Sequence, residues 1–321
     1  MPVSVFPQTD RTFGATLNGI DINHVSDSDW SIVEAALNEY GLLIFPSQEI
    51  SQEGVAAFAR RFGPLEGDRP DALLKARPIS NRRADQSIVE STDPIWLTLS
   101  YPTRYWHKDG TFNDIPPKIC VLAGQLVTRE HGQTQFADMA AAWDALNQEQ
   151  QHRLQSMVAF HSNLIGSTRV LPPEHRKTLD ALVGDEPVDG FYGLNYRAET
   201  PLRPLVHTHR ETGRQSLFIG RHVFGIPDMT PEDSEQFLND LVDEACQGER
   251  VIEHTWTPGD VLVWDNRRLL HRAMPYDEQH ETRVLLNCRI VGDSGEKGLA
   301  NELAARSVEM QHSELLRLRA R

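Results

Sequence analysis

The chain of 321 residues is poor in cysteine, has no long apolar run and carries no excess of positive charge. Each scarcity excludes something. The three cysteines, Cys120, Cys246 and Cys288, fit no zinc or redox spacing, and an odd count argues against a disulfide framework. A reducing cytoplasm is therefore the expected compartment. No apolar stretch approaches the about 20 residues that a membrane-spanning helix needs. The opening "MPVSVFPQTD" has neither the basic start nor the apolar core of a signal peptide. A formal net charge of −14 would repel nucleic acid and anionic membrane surfaces alike. It does not exclude a small anionic substrate, because a local basic site can sit inside an acidic protein. Internal repeats and low-complexity linkers are also lacking, so residues 1–321 are read as one domain.

What is present is a helical front and a strand-rich back. Residues 26–41 read as a helix, with Ser26 as N-cap, Asp29 three residues on and Gly41 at the C′ position. "LLIF" (42–45) reads as a short buried strand stopped by Pro46. Residues 51–62 form a second helical pattern, with Val55, Phe58, Ala59 and Phe62 on one face and Gly63-Pro64 at its end. Residues 138–157 are helical again, with a break near Asn147. Two segments, 65–102 and 163–204, are rich in proline or glycine and read as long irregular lid loops. The last third turns to strands: "SLFIG", "VIEHTW", "DVLVW" and "TRVLLNCRIV". Residues 298–321 read as a C-terminal helix. This order suggests an α+β domain whose sheet layers form a jelly roll flanked by helices.

The chemistry is concentrated in "RYWHKDGTF" (104–112). In a strand, residues two apart share a face, so His107 and Asp109 can aim a nitrogen and an oxygen at one point. Those are two of the three ligands of the facial triad that holds non-haem iron(II). A third candidate is His271, which ends an apolar run in "GDVLVWDNRRLLHRAMPYD" and can meet the pair only through folding. The strand at 282–291 turns Val284, Leu286, Cys288 and Ile290 to packed core. Arg283, Leu285, Asn287 and Arg289 share its other face. Three polar residues on one face of an apolar strand are costly to bury unpartnered, and a bound anion would satisfy them.

"WHKD", the distant "WDNRRLLHR" and an arginine beyond it resemble the taurine/2,4-dichlorophenoxyacetate dioxygenase family. "NEYGLLIFPSQEISQEGVAAFARRFGPLEG", "GQTQFADMAAAWDAL" and "PLVHTHRETGRQSLFIG" extend the resemblance over nearly the whole chain. It implies a double-stranded β-helix core and an Fe(II)- and 2-oxoglutarate-dependent dioxygenase that hydroxylates a C–H bond with O2, releasing succinate and CO2. By the same resemblance His107, Asp109 and His271 bind iron, Arg283 pairs with the distal carboxylate of 2-oxoglutarate, and Thr134 hydrogen-bonds that cosubstrate through an accessible hydroxyl. It suggests a homodimer or homotetramer. Asp109 favours hydroxylation over halogenation, which replaces the acidic ligand with a small residue.

The substrate is expected to be small, organic and anionic. In the sulfonate and phenoxyacetate enzymes a second arginine lies four residues after the cosubstrate arginine. Here that position is Asn287, with Arg289 two further on as a substitute. Arg104 is another candidate, and Lys75, Arg77, Arg82 and Arg83 are cations of the lid segment. Phe218 and Phe224 are candidate apolar walls. Arg221 and His222 either line the pocket or cap a strand. His207 and His209 read as structural or pocket-lining, and Trp106 and Trp264 as core. Two other readings compete: a jelly-roll metal sensor without oxygenase activity, which would need neither Arg283 nor Thr134, and a zinc hydrolase, which would need a general base beside the triad.

Overall fold

The structure, a computed structural model, describes residues 2–69, 73–83, 85–90, 93–182 and 200–320. Two sheets enclose the core. The larger runs in the order Ser4–Pro7, Ala15–Asn18, Leu42–Phe45, Val261–Asp265, Ile119–Leu126, Val284–Ile290, Arg77–Ser80. Its pairings are antiparallel except that between Ala15–Asn18 and Leu42–Phe45. The smaller sheet sets Thr134–Asp138 between Val251–His254 and Leu269–Ala273. Together they form the expected jelly roll.

Alternation across the large sheet divides the core. Leu262 and Trp264 point inward with Leu42, Cys120, Leu122 and Leu285, and meet Phe136, Ile252 and Leu269 of the small sheet. Val261 and Val263 point outward, onto Trp30, Leu37, Val55 and Phe58 of the helices Asp27–Tyr40 and Gln52–Ala59. A strand buried on both faces reads as a continuous apolar run, which is why "VLVW" shows no polar alternation. Each such side chain stabilises the fold by about 1.5–3 kcal/mol on burial.

The helix ends follow the sequence. Ser26 accepts from the Asp29 amide, and Gly41, at φ 70°, returns its N–H to Leu37. A Cβ at Gly41 would meet the Arg268 side chain at 3.0 Å, so both conformation and space call for glycine. The break expected near Asn147 is a new helix start, where Asn147 and Gln150 form a capping box between the helices Met139–Asp144 and Gln148–Gln155.

Three expectations are corrected. The segment 65–102 contains the strand Arg77–Ser80 and the helix Pro94–Ser100. Pro78 is tolerated because its strand is the sheet's edge. The segment 163–204 contains the helices Asn163–Val170 and Pro173–Leu182 and the strand Leu202–Pro204, while 183–199 lie outside the described residues. Pro94 and Pro173 open helices, where a missing N–H costs nothing, so proline density there marked helix starts. The C-terminal helix begins later than expected, with a 3-10 turn at Ala304–Arg306 followed by Ser307–Arg319. Among the described residues no helix is long and apolar enough to cross a membrane.

Candidate active site

His107 and His271 face each other as an isolated antiparallel bridge, each donating its amide to the other's carbonyl at 3.0 and 2.8 Å. Their rings lie 4.2 Å apart. His107 sits at a bridge that runs directly into a turn, so the expected strand does not extend to Asp109. The pair converges nonetheless. Asp109 Oδ1 lies 3.8 Å from His107 Nε2 and 3.9 Å from His271 Nε2, and the ligand atoms of all three residues fall within 4.8 Å of one another. Lys108 points the opposite way and donates to the Arg267 carbonyl at 2.8 Å.

The donor set suits a divalent cation. His107 Nδ1 lies 2.8 Å from the Tyr105 carbonyl, which can only accept, so Nδ1 carries the proton and Nε2 presents its lone pair to the site. Burial, then repulsion from His271 and Arg221, holds His107 well below the ordinary imidazole range, and burial lowers His271 too. Burial thus favours the neutral form of both rings, the form that ligation requires. Burial works against the Asp109 charge, yet His271, Arg289 and His107 keep its carboxyl below the usual value. Separations near 3.8 Å are too long for hydrogen bonds among the three, and a shared cation would give their facing atoms a common partner. His271 is walled by Trp264 at 4.9 Å and Phe136 at 6.2 Å between ring centres.

Behind the triad, Asp265, Asn266 and Arg267 form a buried brace. Asp265 Oδ2 is bound by His209 at 2.8 Å and by Arg267 at 2.6 Å. Asn266 accepts from the Asp109 amide and donates to the Asp109 carbonyl, both at 2.9 Å. His209 is therefore structural, and His207 lies 3.8 Å from Glu296, away from the triad.

Arg283 lies just before the strand Val284–Ile290, where the pairing register shifts. It is buried, donates to the Gly132 carbonyl at 2.8 Å and sits 5.2 Å over the Tyr276 ring. Among the described residues no carboxylate is within salt-bridge distance of it. A buried cation so placed is costly, and a carboxylate ligand would offset that cost. Thr134 is 3 % exposed, and its hydroxyl accepts from the Trp256 indole at 3.0 Å. The expectation of an accessible hydroxyl is corrected: Trp256 covers it, although the hydroxyl's own proton can still be donated.

Two cavities meet at a wall made by Leu99 and Thr103. One adjoins the triad and is lined also by Phe112, Asn163, Ser167, Arg221, His222 and Arg289. The other adjoins Arg283 and contains Trp96, Arg104, Tyr276 and Glu278. Arg104 thus falls on the Arg283 side, paired with Glu278 at 2.9 Å. Arg289 is at the triad but paired with Glu66 at 2.7 Å. Asn287 is half-buried on its strand and is not among the side chains lining the triad cavity. Arg221 and His222 do line it. Arg221 is stitched to the triad by its amide, which donates to the Trp106 carbonyl at 2.9 Å, and its guanidinium reaches Asn163 and Ser167 at 3.3 and 3.2 Å. The expected aromatic walls are elsewhere: the Phe218 ring lies tilted against His161 at 5.5 Å, and Phe224 packs under the C-terminal helix. Of the lid cations, Lys75 pairs with Glu53 and Arg83 with Asp93, outside both cavities. Glu66, Cys120, Trp256 and Glu278 are not legible as site residues, because their roles depend on side chains brought to them by folding: Arg289, Asp109, Thr134 and Arg104.

The chain is 40% identical over 294 residues to the (S)-phenoxypropionate/alpha-ketoglutarate-dioxygenase of Sphingobium herbicidovorans, covering 91% of this chain and 96% of the relative. It is 32% identical over 275 residues to the alpha-ketoglutarate-dependent 2,4-dichlorophenoxyacetate dioxygenase of Cupriavidus pinatubonensis, covering 83% and 90%. The solved structure of AAD-2 in complex with Mn(II) and N-oxalylglycine superposes with a TM-score of 0.78 at 27% identity, over 94% of this chain and all of that one. The family described as taurine catabolism dioxygenase TauD, TfdA family matches residues 4–289, and this chain belongs to it.

Proposed function

We propose that the protein is an Fe(II)- and 2-oxoglutarate-dependent dioxygenase that hydroxylates a C–H bond of a small anionic organic molecule. The observation that carries this reading is the convergence of His107 Nε2, Asp109 Oδ1 and His271 Nε2 beside a cavity with a buried, carboxylate-seeking arginine one wall away. Iron(II), when bound there, would supply O2 activation coupled to the conversion of 2-oxoglutarate to succinate and CO2. His107, Asp109 and His271 would hold the metal, through two imidazole nitrogens and one carboxylate oxygen. Arg283 takes the distal carboxylate of 2-oxoglutarate, and Thr134, oriented by Trp256, donates its hydroxyl proton to it. Leu99 and Thr103, which line both cavities, would stand between the distal end of 2-oxoglutarate and the substrate.

The phenoxypropionate and 2,4-dichlorophenoxyacetate of the two relatives' names are carboxylates on an aryl ether, and that class is proposed here. Arg221 is the preferred partner for the substrate anion because it lines the triad cavity beside Phe112, whereas Arg104 lines the Arg283 cavity. This replaces Asn287 and Arg104 in that role and leaves Arg289 as an electrostatic contributor. Phe112 supports the aromatic portion. A cytoplasmic homodimer or homotetramer, with no nucleic-acid partner, completes the proposal. The test is turnover: purified protein with Fe(II), ascorbate and 2-oxoglutarate should release succinate in step with the loss of a phenoxyalkanoate. Hydrolysis supported by zinc and indifferent to 2-oxoglutarate would replace this reading.

A further inference from the structure

We propose that Cys120 is a positioning residue for Asp109, fixing the rotation of its carboxylate so that only one oxygen faces the two histidines. Cys120 lies on the strand Ile119–Leu126, paired across to Trp264 on one side and Arg289 on the other. It is fully buried and belongs to the apolar cluster between the sheets, at the edge where that cluster gives way to the triad. Its thiol donates to Asp109 Oδ2 at 3.7 Å. The other oxygen, Oδ1, is the one that approaches His107 and His271.

The backbone of Asp109 is already held. Asn266, 1 % exposed, brackets it with one bond to its amide and one to its carbonyl, and is itself tied to the Pro117 carbonyl at 2.8 Å. What Asn266 leaves undetermined is rotation of the carboxylate about its terminal torsion, which is broad and nearly two-fold for aspartate. The thiol supplies the missing constraint. With Cys120 in place the two oxygens are inequivalent, one bound to sulfur and one presented to the imidazoles. Without it they are interchangeable, and the carboxylate can turn both toward the site. A purely space-filling cysteine would make no such distinction.

The inference rests on the metal-centre reading, and the test separates the two. Co(II) is titrated anaerobically into apoprotein of wild type, C120A, C120S and H107A, following affinity and the visible ligand-field spectrum; thermal melting checks the fold. The expected result is tight binding by wild type and loss in H107A. C120A should bind about tenfold more weakly with an altered spectrum, the scale on which outer partners of metal ligands act. C120S, which keeps a donor, should fall closer to wild type in both readouts. If C120A matches wild type in affinity and spectrum, or if C120S is as impaired as C120A, the positioning role is wrong while the metal centre stands. If wild type binds no Co(II), both fall together.

Discussion

His107 and His271 exchange both of their backbone hydrogen bonds, so the two imidazoles are placed by one rung of strand pairing between segments distant in the chain. The neighbouring backbone holds that rung. Gly220, at φ 128°, lets the Arg221 amide reach the Trp106 carbonyl, and a Cβ there would stand 3.1 Å from that carbonyl oxygen and 3.2 Å from His107 Cα. Gly220→Ala is therefore expected to push His107 off its rung. Metal affinity should drop about tenfold, on the scale seen when a ligand's support is lost, and the melting temperature should fall as well. Metal titration alongside a thermal melt checks this, and unchanged affinity would count against the rung as the determinant.

Arg283 should govern 2-oxoglutarate and nothing else. A hydrogen bond to a charged group contributes about 1.5–3 kcal/mol, so Arg283→Ala should raise the KM for 2-oxoglutarate about 10- to 100-fold. Arg283→Lys should recover only part of this, because an ammonium cannot form the bidentate fork. The KM for substrate should stay near wild type in both variants.

Arg221 and Arg104 should divide by cavity. Arg221→Ala is expected to raise the KM for a phenoxyalkanoate by about 10-fold or more without altering that for 2-oxoglutarate. Arg104→Ala should do the reverse and more weakly, since Arg104 acts on the Arg283 cavity through Glu278, which also accepts from the Trp96 indole at 2.8 Å. Steady-state kinetics with both substrates varied will read this out. Equal effects on both KM values in either variant would contradict the division.

Asp265 predicts an acid limb. Burial resists its ionisation, but the His209 hydrogen bond and Arg267 hold its carboxyl far below the usual range. A depressed folded pKa means that its stabilisation is complete above the unfolded value of about 4 and is lost as pH falls through the folded value. Asp265→Asn should cost about 1.5–3 kcal/mol at pH 7, the scale of a hydrogen bond to a charged group, because Arg267 loses its partner at 2.6 Å and keeps Glu211 at 2.9 Å. The gap between wild type and variant in urea unfolding should narrow progressively below about pH 4. A gap independent of pH would mean the ionised carboxylate is not the source.

Much of this is legible in the sequence. The helix 26–41, its caps, the strand of "LLIF" and the restart at Asn147 follow from local chemistry, and local chemistry decided them. His107, Asp109 and His271 are brought together as expected, although the strand supposed to align the first two is a single bridge. The lids were misread because proline signals a loop and a helix start equally well. Only tertiary packing, with Pro94–Ser100 over the Arg283 cavity, settles which. Substrate contacts were the least legible. Whether an arginine reaches substrate depends on which carboxylate it meets first, and Glu66 and Glu278 take Arg289 and Arg104 from positions remote in sequence.

The most direct test of the central claim is an anaerobic absorption spectrum of the apoprotein with Fe(II) and 2-oxoglutarate. Chelation of the keto acid by iron held in the triad predicts a weak charge-transfer band in the visible. It should be present in wild type, absent in His107→Ala and weakened in Arg283→Ala at subsaturating 2-oxoglutarate. Iron binding without any such band would contradict the account.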